Sequence, residues 1–166
     1  MPEIEPQIHV ILAAAYAMVL GGAIGFEREL KNRPAGFRTH MLVAGAASLL
    51  IGMGVMLAQG DPRFRNDVHI DPLRLVEATI AGVAFIGAGT IFSRRRGQDI
   101  AGITTAASLL MVAVIGIATG LGYHLLAAMA AVMTLLVLLA LDAFERWQTN
   151  RKSDAAEAAS KRSPED

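Results

Sequence analysis

Long uncharged stretches alternate with short charged segments along the chain. Residues 6–26, 39–60 and 100–141 contain no Asp, Glu, Lys or Arg, and residues 79–93 form a fourth uncharged window. A helix that crosses the hydrocarbon core of a membrane needs about 20 apolar residues. The window 100–141 has about twice that length, so we expect it to fold back on itself near the Gly120–His124 segment.

This pattern predicts an all-α, polytopic membrane protein with five transmembrane helices. The predicted helices cover about residues 8–28, 41–59, 72–92, 101–119 and 123–142. They would form one membrane domain over residues 1–142. Asp71 and Pro72 fit the start of the third helix, as an N-cap followed by proline at the first helical position. Residues 143–166 form a charged tail with too few apolar side chains to fold alone.

Composition agrees with a membrane protein. Hydrophobic residues make up 54% of the 166 residues, and charged residues make up 18%, against about 25% in soluble domains. The sequence contains no cysteine, which excludes a disulfide scaffold. The acidic N-terminus lacks the basic start of a signal peptide, so we expect the first apolar stretch to be a retained span.

The distribution of basic residues predicts the orientation in the membrane. With five spans, three basic residues lie on one side (Arg63, Arg65, Arg74) and twelve on the other. Basic residues in short loops concentrate on the cytoplasmic side. We therefore expect the N-terminus outside and the C-terminus inside. The twelve are Arg28, Lys31, Arg33, Arg38, Arg94, Arg95, Arg96, Arg146, Arg151, Lys152, Lys161 and Arg162.

Small residues at four-residue spacing indicate close helix packing, because they allow helix backbones to approach one another in lipid. Contact within one chain is the favoured interpretation, and a homo-oligomer contact is the alternative. For the glycine-rich third helix, a kinked helix that lines a polar cavity is a further alternative. The residues assigned to packing are Gly21, Gly25, Gly82, Gly87, Gly89 and Ser108.

A shift of 66 residues aligns residues 20–39 with residues 86–105 at six identities. Each stretch runs from a glycine-containing helix end through a basic loop into an Ala-Gly-x-x-Thr segment. Helices one and two would then be related to helices three and four as a parallel repeat.

Charged and hydroxyl side chains are concentrated at the predicted cytoplasmic ends of the first four helices. Such a cluster suits an anionic headgroup, a phosphate or the acidic surface of a partner. A solvated loop with local ion pairs is the alternative. Acids at the end of the first helix oppose its macrodipole, which indicates specific basic partners. The candidate residues are Glu27, Arg28, Glu29, Arg33, Gly36, Arg38, Thr39, Arg94, Arg95, Thr104 and Thr105.

Glu77 is the one acid that lies within a predicted span and not at its cytoplasmic end, and intramembrane acids are functional candidates. It follows Arg74 by three residues, so an interfacial ion pair on one helix face is favoured. A cation pathway is the alternative. We expect no metal site, no cofactor, no catalytic residues and no nucleic-acid partner, because no motif for a metal, a phosphate or a nucleophile is present.

Four segments resemble the MgtC/SapB (YhiD-like) family of bacterial inner-membrane proteins. They are residues 25–29 (GFERE), 33–43 (RPAGFRTHMLV), 82–91 (GVAFIGAGTI) and 102–108 (GITTAAS). The resemblance covers roughly residues 10–142. It implies five spans with the N-terminus outside, and a short form of the family without the cytoplasmic ACT-like domain of longer members. The matched motif residues are Glu27, Arg28, Glu29, Gly36, Arg38, Thr39, Gly87, Gly89, Thr104 and Thr105.

The resemblance implies a non-enzymatic modulator in the inner membrane. Family members support growth at low magnesium and, in pathogens, survival inside macrophages, and one is associated with restraint of the F-type ATP synthase. We therefore expect a protein that binds a membrane partner such as this synthase through its cytoplasmic face. The alternative is a small transporter or channel, for example for magnesium, which would use Glu77.

Overall fold

The computed structural model describes residues 4–60, 71–92 and 102–140. These residues form five α-helices and no strand, so the prediction of an all-α fold is confirmed. The helices are α1 (Ile4–Leu30), α2 (Phe37–Gly60), α3 (Pro72–Phe92), α4 (Ile103–Gly120) and α5 (His124–Ala140).

Four of the helices are long and apolar enough to cross a membrane. Their spans are Ile4–Leu30, Phe37–Ala58, Leu73–Phe92 and Ile103–Gly120. The described part of α5, His124–Ala140, is also apolar but shorter, and residues from 141 onward lie outside the described residues. The crossing of α5, the orientation of the bundle and the division into a membrane domain and a tail stay predictions.

α1 begins at Ile4, about four residues before its predicted start. The end of α1 and the start of α2 also differ from the predicted bounds, and both are set by local capping. α1 continues to Leu30, where Asn32 adopts a left-handed conformation (φ 52°). The Arg33 amide donates to the Arg28 carbonyl at 3.0 Å, and the Asn32 amide donates to the Glu29 carbonyl at 3.0 Å. This pair of bonds is a Schellman motif, which satisfies carbonyls at the end of the helix. α2 begins at Phe37, about four residues before the predicted start.

The predicted fold-back after α4 is confirmed, and it uses the same capping motif. Gly122 has a φ of 86°, a conformation that glycine adopts without steric cost. The Tyr123 amide donates to the Ala118 carbonyl and the Gly122 amide donates to the Thr119 carbonyl, each at 2.9 Å. The predicted cap of α3 is also confirmed, because Asp71 Oδ1 accepts from the Leu73 amide at 2.9 Å.

α2 and α4 form the centre of the bundle. Each contacts the other and also both α1 and α3, whereas α1 and α3 do not contact each other. α5 packs on the side of α1 and α4, where Ala127 and Ala131 join Ala17, Ile24 and Val112 in one apolar core. Tyr16 of α1 donates its hydroxyl to the His124 carbonyl at 3.4 Å.

Glycines set how closely the central helices approach. A Cβ at Gly120 would lie 2.6 Å from the Ser48 carbonyl oxygen, and one at Gly116 would overlap the Ala44 carbonyl. A Cβ at Gly21 would lie 2.6 Å from the His40 carbonyl oxygen. The α1–α2 and α2–α4 contacts of these glycines therefore lie within one chain, as the favoured interpretation required.

The glycines of α3 behave differently from those of α1 and α4. A Cβ at Gly87 would meet Ala106 of α4 at 3.3 Å, but one at Gly82 or Gly89 would meet nothing within 4 Å. The packing predicted for Gly82 and Gly89 is therefore not made within the described part of this chain. Both residues lie on the exposed side of α3.

The backbone at Gly102, just before α4, packs closely against the end of α3. Its φ is 100°, and a Cβ would lie only 2.7 Å from the Thr90 carbonyl oxygen. The C-terminal ends of α1 and α3 therefore meet the N-terminal ends of α2 and α4. We call this part of the bundle the charged end. The proposed repeat of helix pairs stays a prediction.

Candidate functional site

Five polar side chains are buried together at the charged end, although each can ionise or form hydrogen bonds. Their exposed fractions are 7% or lower. Burial of such groups is costly unless they find partners, and buried ionisable residues in spanning helices are functional candidates. We call them the buried polar cluster: Glu27, Arg28, His40, Thr105 and Ser108.

Arg28 connects α1 to α4. It lies in the last turn of α1, where a positive charge is favoured by the helix dipole. Its Nη2 donates to Thr105 Oγ1 at 3.3 Å. The Nε atom is buried and has no hydrogen-bond partner in the described part of the chain. Arg28 therefore holds the first turn of α4 against α1 while part of its own bonding capacity is unused.

His40 connects α2 to α4. Its Nδ1 donates to the Gly36 carbonyl at 2.9 Å, because a carbonyl can only accept. Its Nε2 lies 3.1 Å from Ser108 Oγ, and that hydroxyl donates to the Thr105 carbonyl at 2.8 Å. A Cβ at Gly25 of α1 would lie 2.8 Å from His40 Cβ, so only glycine allows α1 to cover the imidazole.

Glu27 is the acidic member of the cluster. It forms an ion pair through Oε1 with Lys31, the residue after the end of α1, and its Oε2 is buried with no hydrogen-bond partner among the described residues. Lys31 is half-buried. Arg28, Arg38 and Arg94–Arg96 were the basic partners expected for this acid, but its partner is Lys31, the residue that follows α1.

Glu29 caps the N-terminus of the next helix, α2. Its Oε2 accepts from the Phe37 amide, the first of α2, at 2.8 Å. A Cβ at Gly36 would lie 2.8 Å from the same oxygen, so glycine leaves room for the carboxylate. A negative charge is favoured at a helix N-terminus. The acid that opposes the dipole of α1 therefore complements the dipole of α2.

We predict that Glu29→Ala lowers the free energy of unfolding by about 1 kcal/mol, the usual effect of removing a helix cap. The measurement is circular dichroism during titration of detergent micelles with dodecyl sulfate. Glu29→Gln is the matched control, because its amide oxygen can still accept from the Phe37 amide. Equal destabilisation by both variants would show that the charge, and not the cap, is what matters.

The remaining predicted residues surround the buried polar cluster. Arg33, Arg38 and Thr104 are exposed, and Thr39 is half-buried. Arg94 and Arg95 lie outside the described residues. The structure thus divides the predicted site into a buried layer that links three helices and an exposed layer that carries basic and hydroxyl groups.

Glu77 is remote from this end of the bundle. It is exposed near the start of α3, as is Arg74, and the two side chains form no ion pair. The favoured prediction of an Arg74–Glu77 pair is therefore wrong. Fixing two long exposed side chains costs conformational entropy that a weak surface attraction does not offset.

Buried polar groups do not continue through the bundle in the part of the chain that the structure describes. Beyond His40 and Ser108, the described part of the α2–α4 contact is formed by Ala44, Val112 and Gly116, and buried hydroxyls reappear in this contact at Ser48 and Thr119. Eight residues of helix separate His40 from Ser48, about 12 Å. No group of three or more His, Cys, Asp or Glu that could hold a metal occurs within the described ranges.

His40 is a functional candidate that was not among the site residues predicted from the sequence. It is 0% exposed and contributes the one imidazole of the buried polar cluster. A signal was present in the sequence, because His40, Ala44 and Ser48 share one helix face at four-residue spacing. A histidine that begins a stripe of small residues lies on a packed face.

Comparison with known proteins identifies the family. The model of the MgtC family matches residues 14–147. An uncharacterized protein of Haemophilus influenzae is 38% identical over 137 residues, which cover 82% of this chain and 57% of that protein. “Putative magnesium transporter YhiD” of Escherichia coli K12 is 41% identical, over 79% of this chain and 58% of its own length.

Two named relatives come from other bacteria. Protein SapB of Bacillus subtilis is 39% identical over 73% of this chain and 50% of its own length. Protein MgtC of Brucella abortus is 37% identical over 80% of this chain and 51% of its own length. The chain thus spans between 50% and 58% of the length of these relatives. No solved structure matches the chain.

The matched region contains the buried polar cluster and all of the described helices except the start of α1. The chain is therefore a multi-pass protein of the bacterial inner membrane and belongs to the MgtC family.

Proposed function

We propose that this protein is a non-enzymatic membrane modulator that supports adaptation to low magnesium by binding a partner through its charged end. The link to magnesium is suggested by the name of YhiD and by the family. The family resemblance suggests the F-type ATP synthase as the partner.

The observation that carries the proposal is the buried polar cluster beneath an exposed basic surface. Arg28 and His40 link the first two turns of α4 to α1 and α2. These bonds join the segments that carry the exposed Arg33, Arg38 and Thr104. A preorganised surface loses less conformational entropy on binding. Such an arrangement suits recognition of an acidic protein surface.

The alternative is a small transporter or channel, for example for magnesium. It is favoured by the name of YhiD and by the exposed charge of Glu77. Ions need a continuous polar path, and Ala44, Val112 and Gly116 interrupt the buried polar groups between α2 and α4. This interruption is the reason why we rank modulation above transport.

The test combines growth and flux. Cells that lack the protein are grown at low magnesium with the wild-type chain or with Arg33→Ala/Arg38→Ala. We expect the double variant to lose complementation while its membrane abundance is unchanged, because both side chains are exposed. Glu5→Gln, on an exposed acid at the opposite end of α1, is the matched control and should grow normally. Capture of the wild-type chain from these membranes should recover subunits of the ATP synthase.

Ion flux separates the two functions. The purified chain in proteoliposomes should show no magnesium flux above protein-free vesicles. A robust flux that disappears in Glu77→Gln would overturn modulation in favour of transport. Normal growth of Arg33→Ala/Arg38→Ala would overturn the role of the charged end.

A further inference from the structure

The hydrogen bonds around His40 can form with the imidazole neutral or protonated. Its Nδ1 donates to the Gly36 carbonyl, so in the neutral ring Nε2 carries no proton and can only accept. Ser108 Oγ lies 3.1 Å from Nε2 and 2.8 Å from the Thr105 carbonyl oxygen. Both are acceptors for the single proton of this hydroxyl. One of them is therefore left without the hydroxyl proton while the imidazole is neutral.

A second proton on the imidazole of His40 removes this competition. Nε2 then donates to Ser108 Oγ, and the hydroxyl donates to the Thr105 carbonyl, so all three groups are satisfied. The change needs only a rotation of the hydroxyl hydrogen, because the heavy atoms already lie at bonding distances for both arrangements. Histidine is the side chain that ordinarily changes charge between about pH 5 and pH 8.

The charges that act on this imidazole belong to α1 in the described part of the chain, and they are Arg28 and Glu27. α4 has no charged residue, Arg38 of α2 is exposed, and the charged residues of α3 lie at its opposite end. Glu27 is already paired with Lys31. A protonated His40 therefore adds a second buried cation near Arg28 without an acid of its own, and such a charge is costly to bury.

Both cations act on the same contact between helices. Arg28 binds Thr105, and His40 binds Ser108, which follows three residues later, about 4.5 Å along the axis of α4. The backbone of α1 lies directly against the histidine, because a Cβ at Gly25 would be 2.8 Å from His40 Cβ. Repulsion between the two cations is therefore felt where α1 packs on α2 and α4.

We propose that the buried polar cluster is a proton-sensitive switch, in which protonation of His40 moves the end of α1 away from α4. Hydrogen bonding favours the added proton, and the charge of Arg28 opposes it while the bond to Thr105 holds the helices closed. Uptake of the proton therefore favours an open arrangement in which Arg28 is further away. Only the consequence rests on the proposed function: the part that moves carries the surface assigned to the partner, so acid regulates partner binding.

The first test follows the proton itself. The purified chain carries His9→Gln, His69→Gln and His124→Gln, which leaves His40 as its single imidazole without any substitution in the cluster. Nitrogen-15 NMR in detergent micelles is recorded from about pH 8 to about pH 5. We expect a neutral ring with its proton on Nδ1 at the higher pH and a proton on both ring nitrogens at the lower pH. A ring that keeps a single proton throughout would overturn the proposal.

The second test measures whether the helices separate. The sequence has no cysteine, so spin labels are attached at Leu30→Cys, on the exposed end of α1, and at Thr104→Cys, on the exposed start of α4. Electron paramagnetic resonance should show a mean separation larger by about 1–2 Å in acid, the size of a helix shift in switching proteins. His40→Gln, which cannot titrate, is the matched control and should keep the closed separation. An unchanged separation in the labelled chain, or the same increase in His40→Gln, refutes the switch.

Arg28→Met tests the origin of the movement in the same labelled chain. Methionine removes both the repelling charge and the bond to Thr105. The separation should be as large at the higher pH as that of the unsubstituted chain in acid, and it should not depend on pH. A separation that still increases in acid would show that Arg28 does not drive the movement, and the proposal would be wrong. Neither test measures growth or capture of a partner, so failure of the switch is distinguishable from failure of the proposed function.

Discussion

Gly116→Ala is expected to lower the free energy of unfolding by about 3 kcal/mol or more, the upper range for overpacking. A Cβ at this position would overlap the Ala44 carbonyl oxygen and lie 2.9 Å from Ala47 Cβ. The overlapped atom belongs to the backbone of α2, so no side-chain rotation can relieve it. α2 and α4 would have to separate along their central contact. The measurement is unfolding by dodecyl sulfate in detergent micelles, followed by circular dichroism.

Gly89→Ala is the matched control for Gly116→Ala. It makes the same chemical change in a spanning helix, but nothing lies within 4 Å of the added methyl group. At protein concentrations where the detergent-solubilised chain is monomeric, we expect unchanged stability or a gain of up to about 1 kcal/mol from helix propensity. Equal stability of Gly116→Ala and Gly89→Ala would mean that α2 and α4 cross less closely than the structure indicates.

The number and type of the helices could be predicted from the sequence because both follow from composition. Apolar windows of spanning length define the helices, and the Gly120–His124 segment contains the glycine that turns the chain. The bounds near residues 30–37 were less predictable, because they depend on a bond from Phe37 to Glu29, eight positions away. A carboxylate at the end of one helix can cap another only after both have been placed.

The sequence predicts at which end of the helices the candidate site lies, but it does not predict which of its side chains contact one another. Arg28 and Thr105 were both candidates, yet the bond between them joins residues 77 positions apart. A glycine at a helix contact also cannot be distinguished in the sequence from a glycine that contacts nothing. Gly116 faces the backbone of α2 and Gly82 faces open space, and this difference is set by which side of each helix is turned inward. His40 was missed because its burial depends on Gly25 of another helix.

Arg28→Met is expected to separate the function of the buried polar cluster from its contribution to stability. Arg28 is 3% exposed and makes one described hydrogen bond, at 3.3 Å, and its Nε has no partner among the described residues. Burial of such a charge is expensive, and replacing buried charges by apolar side chains of similar size is often neutral or stabilising. Glu27 keeps its ion pair with Lys31. We therefore expect the free energy of unfolding to stay within about 2 kcal/mol of the wild-type value, in either direction.

Growth at low magnesium should nevertheless fail with Arg28→Met, to the level of cells without the protein. Methionine cannot donate to Thr105 Oγ1, so the first turn of α4 loses its link to α1, and Thr104 is no longer held in place relative to Arg33 and Arg38. Thr105→Val removes the acceptor of this bond and should show the same growth defect. If Arg28→Met lowered the free energy of unfolding by more than about 3 kcal/mol, the guanidinium would instead be needed for stability. Normal growth with full stability would mean that the costly burial of this guanidinium serves another purpose.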